Sequence, residues 1–244
     1  MNSGATAGPF SLWVYLSQNP LLWLTVTLLV YAAADAVSAA TKRNPLANPV
    51  LHSVWVIGLI LLLTGTPYPE YFNGAQFVHF VLGPATVALA VPLYENRKVV
   101  LSAILPMAVA VLAGGITAIV SIIVLAQIAG LPQGVVLALA PKSVTAGVAM
   151  GISESLGANP SITAIAVILT GITGAVVVTP LMNLFRITDF RARGFAAGLA
   201  AHGIGTARAF QVDTVAGVFA GVGMSLNALL TSLIVPVLVT LLAR

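Results

Sequence analysis

The chain has 244 residues, of which 59% are hydrophobic and 7% charged, and its mean hydropathy is +1.06. A soluble domain carries roughly 25% charged residues to wet its surface, so a water-facing globule is excluded. The net charge of +4 does not point to nucleic acid, because the basic residues form no patch. They fall in short turns (Lys42 and Arg43; Arg97 and Lys98; Arg186, Arg191 and Arg193), as membrane orientation predicts. Cysteine is absent, which excludes disulfides and thiolate metal sites.

In chain order, Met1 to Gly8 reads as a tail with no basic region ahead of an apolar run, so no cleavable signal peptide is expected. Phe10 to Leu16 is too short to span, and with Trp13 and Tyr15 it reads as an interfacial segment; residues 1–19 are set apart on these grounds. Predicted spans follow at Pro20–Ala40 and Asn48–Leu63, joined by the basic turn Thr41–Pro45. Turn formers fill Thr64 to Gly74, and a third span is predicted over Gln76–Tyr94. Trp23, Trp55, Tyr68 and Tyr71 lie near span ends and fit an aromatic belt.

No charge occurs from Val99 to Ala140, where one long helix to about Ala129 is followed by a turn over Gly130–Gly134. Next come an interrupted segment to Gly157, a span over Ser161–Leu184 and the basic loop Arg186 to Arg193. A second interrupted segment covers Gly194–Phe210, and a last helix runs from Asp213 to Leu242. The apolar runs are continuous rather than alternating, which excludes a barrel. The expected fold is an all-α integral membrane protein, a polytopic bundle with two or three interrupted or re-entrant helices, in one domain over 1–244. If the basic turns share the cytoplasmic side, Gly134 to Gly157 must enter and leave on the same side. Length alone also permits a crossing.

Three places break an apolar helix: Gly83-Pro84-Ala85-Thr86, Ala140-Pro141-Lys142-Ser143-Val144-Thr145 and His202-Gly203-Ile204-Gly205-Thr206. Backbone freed at depth is tolerated only inside protein or beside a wet cavity. Transporter sites are built from such half-helix ends, whose N-termini attract anions. Lys142 and Arg208 put cations at two of the breaks, and an intramembrane charge is a functional candidate by default. Alternatively, Lys142 snorkels from a shallow turn and Arg208 pairs with Asp213. His202 is a candidate proton carrier, or a satisfied packing residue; Glu154 and Asp213 are further proton-coupling candidates that read equally as interfacial. Thr86, Thr145 and Asn183 are candidate hydroxyl partners. No Walker, His-Glu-x-x-His or Gly-x-Ser-x-Gly motif occurs, so no enzyme activity, metal or cofactor is expected.

Three stretches, GPATVALAVPLY (Gly83–Tyr94), PKSVTAGVAMGISE (Pro141–Glu154) and AHGIGTARAF (Ala201–Phe210), resemble the LrgB/CidB family of membrane proteins. That family is similar to the LrgB-like half of a plastid glycolate/glycerate translocator, and its bacterial members are tied both to pyruvate uptake and to control of murein hydrolase export and lysis. The resemblance places Lys142, Ser143, Thr145, His202, Thr206 and Arg208 in a suspected substrate site. It implies a multi-pass protein of the bacterial inner membrane. The leading expectation is a secondary transporter of small monocarboxylates (glycolate, glycerate or pyruvate), binding an organic acid anion at mid-membrane. The alternative is a holin/antiholin-like protein controlling hydrolase export and lysis. Expected partners are lipid, a separate LrgA/CidA-like small membrane protein and a second copy in a homodimer.

Overall fold

The computed structural model describes residues 19–88 and 90–242, and every long regular element among them is an α-helix. The tail and the interfacial segment expected before Asn19 lie outside the described residues. Four described helices are long and apolar enough to cross a membrane: Pro20–Ala40, Ile104–Ile128, Pro160–Leu184 and Thr214–Val239. The chain divides into two compact units, residues 1–88 and 89–244.

Helix starts are written locally. Asn19, Asn44, Asn48 and Asn159 each precede a proline, and each side chain accepts from the N–H two residues on, at 2.9–3.0 Å. Asparagine at the N-cap satisfies an orphan donor, and proline at N1 brings no donor to satisfy.

The first unit holds α1 (Pro20–Ala40), a 3₁₀ turn (Pro45–Ala47), α2 (Pro49–Thr64) and α3 (Tyr68–Ala88). α1 packs against both of the others. Trp23 is not an interfacial anchor, as its position had suggested: it is fully buried and meets Tyr71 edge-on at 5.8 Å. Gly74 makes room for it, since a Cβ there would lie 2.8 Å from that of Trp23. Asp35 pairs with Arg43 across the basic turn, and that bond holds the Arg43 guanidinium above its usual pKa. α3 starts at Tyr68, earlier than expected, because Pro69 is at home in a first turn. The interruption expected at Gly83–Thr86 is corrected: the helix continues through Pro84 to Ala88. Proline is tolerated in spanning helices when neighbouring groups satisfy the carbonyl it leaves.

The second unit holds α4 (Ala90–Glu95), α5 (Arg97–Ser102), α6 (Ile104–Ile128), α7 (Gln133–Leu139), α8 (Ala146–Ser155), α9 (Pro160–Leu184), α10 (Phe190–Val212) and α11 (Thr214–Leu242). The single helix expected from Val99 divides at Ala103; Pro106, which cannot donate, belongs to the first turn of α6. α6 and α11 form the frame and run parallel. Phe219 packs with Met107 and Val111, Asn227 and Leu230 face Gly115, and Val235 and Val239 pack with Ile119 and Ile123.

Two hairpins fill this frame. α7 descends beside α6, turns over Ala140–Thr145 and returns as α8. The Thr163 hydroxyl of α9 settles the fold-back, because it reaches both arms: the Ala138 carbonyl at 2.9 Å and Ser153 Oγ at 2.7 Å. A crossing helix would put those residues about 22 Å apart at 1.5 Å per residue. α10 folds back likewise at Ala201 (φ −128°, ψ 18°) and His202 (φ 42°, ψ −135°). Phe190, Arg193 and Ala197 of its first arm then share one small cavity with Arg208, Ala209 and Val212 of its second.

The arms pack on glycine and alanine. A Cβ on Gly194 or Gly198 would collide with the α11 backbone at Ala216 or Ala220. Small residues permit this close approach where lipid provides no hydrophobic drive between helices. The turns carrying Arg97, Lys98, Arg186, Arg191 and Arg193 share one end of the unit, taken as cytoplasmic. The two hairpins therefore enter the unit from opposite ends.

Candidate functional site

The tips of the hairpins meet across the middle of α11. Asn227 lies fourteenth of the 29 residues of that helix and is fully buried. Its Nδ2 donates to the Leu199 carbonyl at 2.9 Å, just before the α10 turn, and to the Ser143 carbonyl at 3.4 Å, in the α7–α8 turn. One amide thus serves both interruptions. The chemistry follows from the breaks: carbonyls that lose a helical partner need another donor, and no water is at hand in hydrocarbon. Thr231 Oγ1 donates to Asn227 Oδ1 at 3.4 Å, fixing which end of the amide faces the tips. Gly115 of α6 admits the group, since a Cβ there would stand 2.9 Å from Oδ1.

The α10 tip has its own support. His202 is buried, and its Nε2 bonds the Val167 carbonyl of α9 at 3.0 Å. A Cβ on Gly171 would lie 2.7 Å from its Cε1, so this glycine makes the ring's pocket. The Thr206 hydroxyl donates to the His202 carbonyl at 2.8 Å, closing the first turn after the reversal. The positive φ of His202 is one that a side chain adopts at a cost of about 1–3 kcal/mol, which these contacts offset.

At the other tip, Pro141, Ser143 and Val144 are buried while Lys142 is half-buried. Val144 packs with Ala149 and Val167.

Of the expected site residues, Lys142, Ser143, His202 and Thr206 therefore stand at or beside the two tips. Thr145 is the N-cap of α8, although its side chain makes no capping bond. Arg208 does not join them. It is buried six residues along the second arm, toward the basic end, with Nη1 3.5 Å from Gln211 Oε1. The Asp213 carboxylate caps α11 by accepting from Val215 and Ala216 at 2.8 and 3.1 Å. Asn183 is exposed at the end of α9, where it accepts from Arg193 at 2.8 Å, and Glu154 is exposed near the end of α8. The side chain of Thr86 lies outside the described residues. Asn227 was missed by sequence reasoning; its signal was a lone amide at the centre of an apolar helix.

A family model described as the LrgB-like family matches residues 27–241. The chain belongs to the LrgB-like family. Among LrgB-like relatives, holin-like protein CidB of Staphylococcus epidermidis is 32% identical over 221 residues, covering 91% of this chain and 96% of that one. CidB of Staphylococcus aureus is 31% identical with the same coverage. YwbG of Bacillus subtilis, an uncharacterized protein, is 36% identical over 89% of this chain and 96% of its own. No solved structure matches.

With its spanning helices and these relatives, the chain is a multi-pass bacterial membrane protein. The expectation of a monocarboxylate transporter is corrected, because full-length LrgB-like relatives are named holin-like. Arg208 lines a small cavity with Phe190 and Arg193, and Lys142 is not among the walls of that cavity.

Proposed function

We propose that the chain is a holin-like membrane protein that governs murein hydrolase export and cell lysis, acting with an LrgA/CidA-like small membrane protein. The observation carrying this reading is the closure of mid-membrane by two half-length hairpins from opposite faces, tied through Asn227. The groups at the tips (Lys142, Ser143, His202, Thr206, Thr231) are polar, so a parted seam would admit water. In this reading the bundle is a barrier in its resting form and a controlled leak when the tips part. The relatives' printed name supports the class of activity, and the seam supports a mechanism for it.

Reconstitution tests the reading. Liposomes loaded with self-quenched calcein receive the purified protein, with and without an LrgA/CidA-like protein. Dye release that changes on adding the second protein, and that rises in Asn227→Ala, is the expected result. Release equal to that of empty vesicles under every condition, with lysis unchanged in cells lacking the gene, would overturn it.

A further inference from the structure

The outer ends of the two α10 arms enclose a cavity of about 20 Å³ lined by two arginines, Arg193 on the first arm and Arg208 on the second. Room is left beside them because the inner wall is small: Gly194, Ala197, Ala209 and Ala216, all buried. The rim is formed by Phe190 and Val212, the first and last residues of α10, which are 41% and 43% exposed. The cavity therefore opens at the basic end of the unit. At 1.5 Å per residue, Arg193 lies about 5 Å inside the end of α10 and Arg208 about 6 Å. The neighbouring α9, with 25 residues, is about 38 Å long, so its ends reach roughly 4 Å beyond ~30 Å of hydrocarbon. Both guanidiniums thus stand near the boundary between hydrocarbon and headgroups.

Arg193 is held by uncharged groups. Its Nη2 donates to Asn183 Oδ1 at 2.8 Å and to the Thr179 carbonyl at 3.4 Å, and its Cζ is 5.9 Å from the centre of the Phe190 ring. Arg208 Nη1 lies 3.5 Å from the uncharged Gln211 Oε1. Amide oxygens orient a cation without cancelling its charge. Both bonds from Arg193 leave Nη2, and a guanidinium has five N–H donors to offer. Among the described residues that form the walls, none is acidic. Size then selects what enters. A water needs about 10–15 Å³ of such space, so this cavity admits one oxygen-sized atom and little more. A helix or peptide segment is far too large.

We propose that Arg193 and Arg208 form a phosphate site, with one phosphate oxygen in the cavity and the rest of the group at the rim between Phe190 and Val212. Guanidinium and phosphate match through paired, charge-assisted donors, and a shared anion offsets the repulsion of two cations on one cavity. The phosphate is that of a lipid headgroup or free inorganic phosphate, whose chemistry here is the same. One arginine comes from each arm, so the bound group ties the hairpin together at the end opposite its tip. The site goes beyond the holin-like reading and does not depend on it.

The test follows thermal unfolding of the full chain in an uncharged maltoside detergent, with probes compared at equal ionic strength. Inorganic phosphate and dioleoylphosphatidic acid are the two phosphate sources. Sodium chloride and dioleoylglycerol are their phosphate-free counterparts. One or both sources should raise Tm by about 5 °C at roughly a hundredfold excess over Kd, and the counterparts should not. A gain from the lipid alone assigns the site to a headgroup, and a gain from inorganic phosphate shows that the free anion suffices. Arg193→Gln and Arg208→Gln should each abolish the gain, whereas Arg186→Gln, exposed and outside the cavity, should keep it. Arg193 is only half-buried, so its variant decides the matter where Arg208→Gln fails to fold. A gain that persists in Arg193→Gln, a gain matched by chloride, or none from either phosphate source would overturn the proposal.

Discussion

Replacing Asn227 with alanine removes a side chain that bonds both tips. The lost donor leaves the Leu199 and Ser143 carbonyls to find other partners in a dry interior. Hydrogen bonds inside membrane proteins average about 0.6 kcal/mol and reach about 1.7, so two such bonds amount to roughly 1–3 kcal/mol. The 2.9 Å bond to Leu199 should dominate over the 3.4 Å bond to Ser143. At about 1.4 kcal/mol per tenfold, a two-state separation of the tips would shift by roughly 5- to 150-fold. Because the chain has no cysteine, spin labels can be placed cleanly on Gly147 and Gly203, which are exposed and meet nothing within 4 Å of a built Cβ. Pulsed dipolar spectroscopy on that pair should give one distance in the parent and an added, longer population in Asn227→Ala. Calcein release should rise in the same variant. Asn227→Gln, which keeps the amide, should lie between the two. If the distribution and the leak were both unchanged in a folded Asn227→Ala, the claim that this amide ties the hairpins would be refuted.

Other outcomes follow from the same contacts. Gly198→Ala drives a methyl into the α11 backbone at Ala220 and should lower thermal stability by about 1–3 kcal/mol or more. Gly151→Ala meets open space and should be neutral or stabilising by up to about 1 kcal/mol; equal effects would reject the close packing of α10 on α11. At the strained turn, His202→Gly should be more stable than His202→Ala by about 1 kcal/mol, because only glycine adopts that positive φ freely. For topology, Leu131→Cys and Asn159→Cys should both react with an impermeant maleimide from outside, and Ile187→Cys only after permeabilisation. Opposite sidedness of the first two would sink the re-entrant hairpin. Asp189→Ala should cost about 0.5–2 kcal/mol by uncapping α10. In the parent the Asp189 carboxyl pKa is lowered on folding, so its contribution is complete above about pH 4 and lost as pH falls through the lowered value, which acid titration of helicity should follow.

Much of the fold was legible in the residues themselves. Continuous apolar runs marked spans, and Ala140–Thr145 and His202–Thr206 announced breaks that the structure contains at 140–145 and at Ala201 and His202. Basic turns sharing one side would call for a fold-back at Gly134–Gly157, with a crossing the alternative, and Thr163 bonding both arms supplies the fold-back. Pro84 misled because proline interrupts a helix only when its surroundings accept the broken ladder, and sequence does not list surroundings. Depth was harder still. Lys142 and Arg208 each sat at a helix break in the sequence, and the reversal at His202 carries Arg208 back toward the basic end. The partner that matters most to the tips, Asn227, carries no charge and no motif, and only the packing of three segments around it reveals its use.

The half-length hairpins bear on how such a chain enters the bilayer. α7 has 7 residues and α8 has 10, too few to span alone, and α10 carries Arg191, Arg193, His202 and Arg208. An arginine at the centre of an inserting segment costs about 2.5–3.5 kcal/mol, and a lone span needs about 20 apolar residues. Neither hairpin is a credible substrate for the insertion machinery on its own merits. α6, α9 and α11 must be threaded first, and the two short pairs then settle between them once their polar backbone has somewhere to go. The segments whose turns meet at Asn227 are thus the last to arrive.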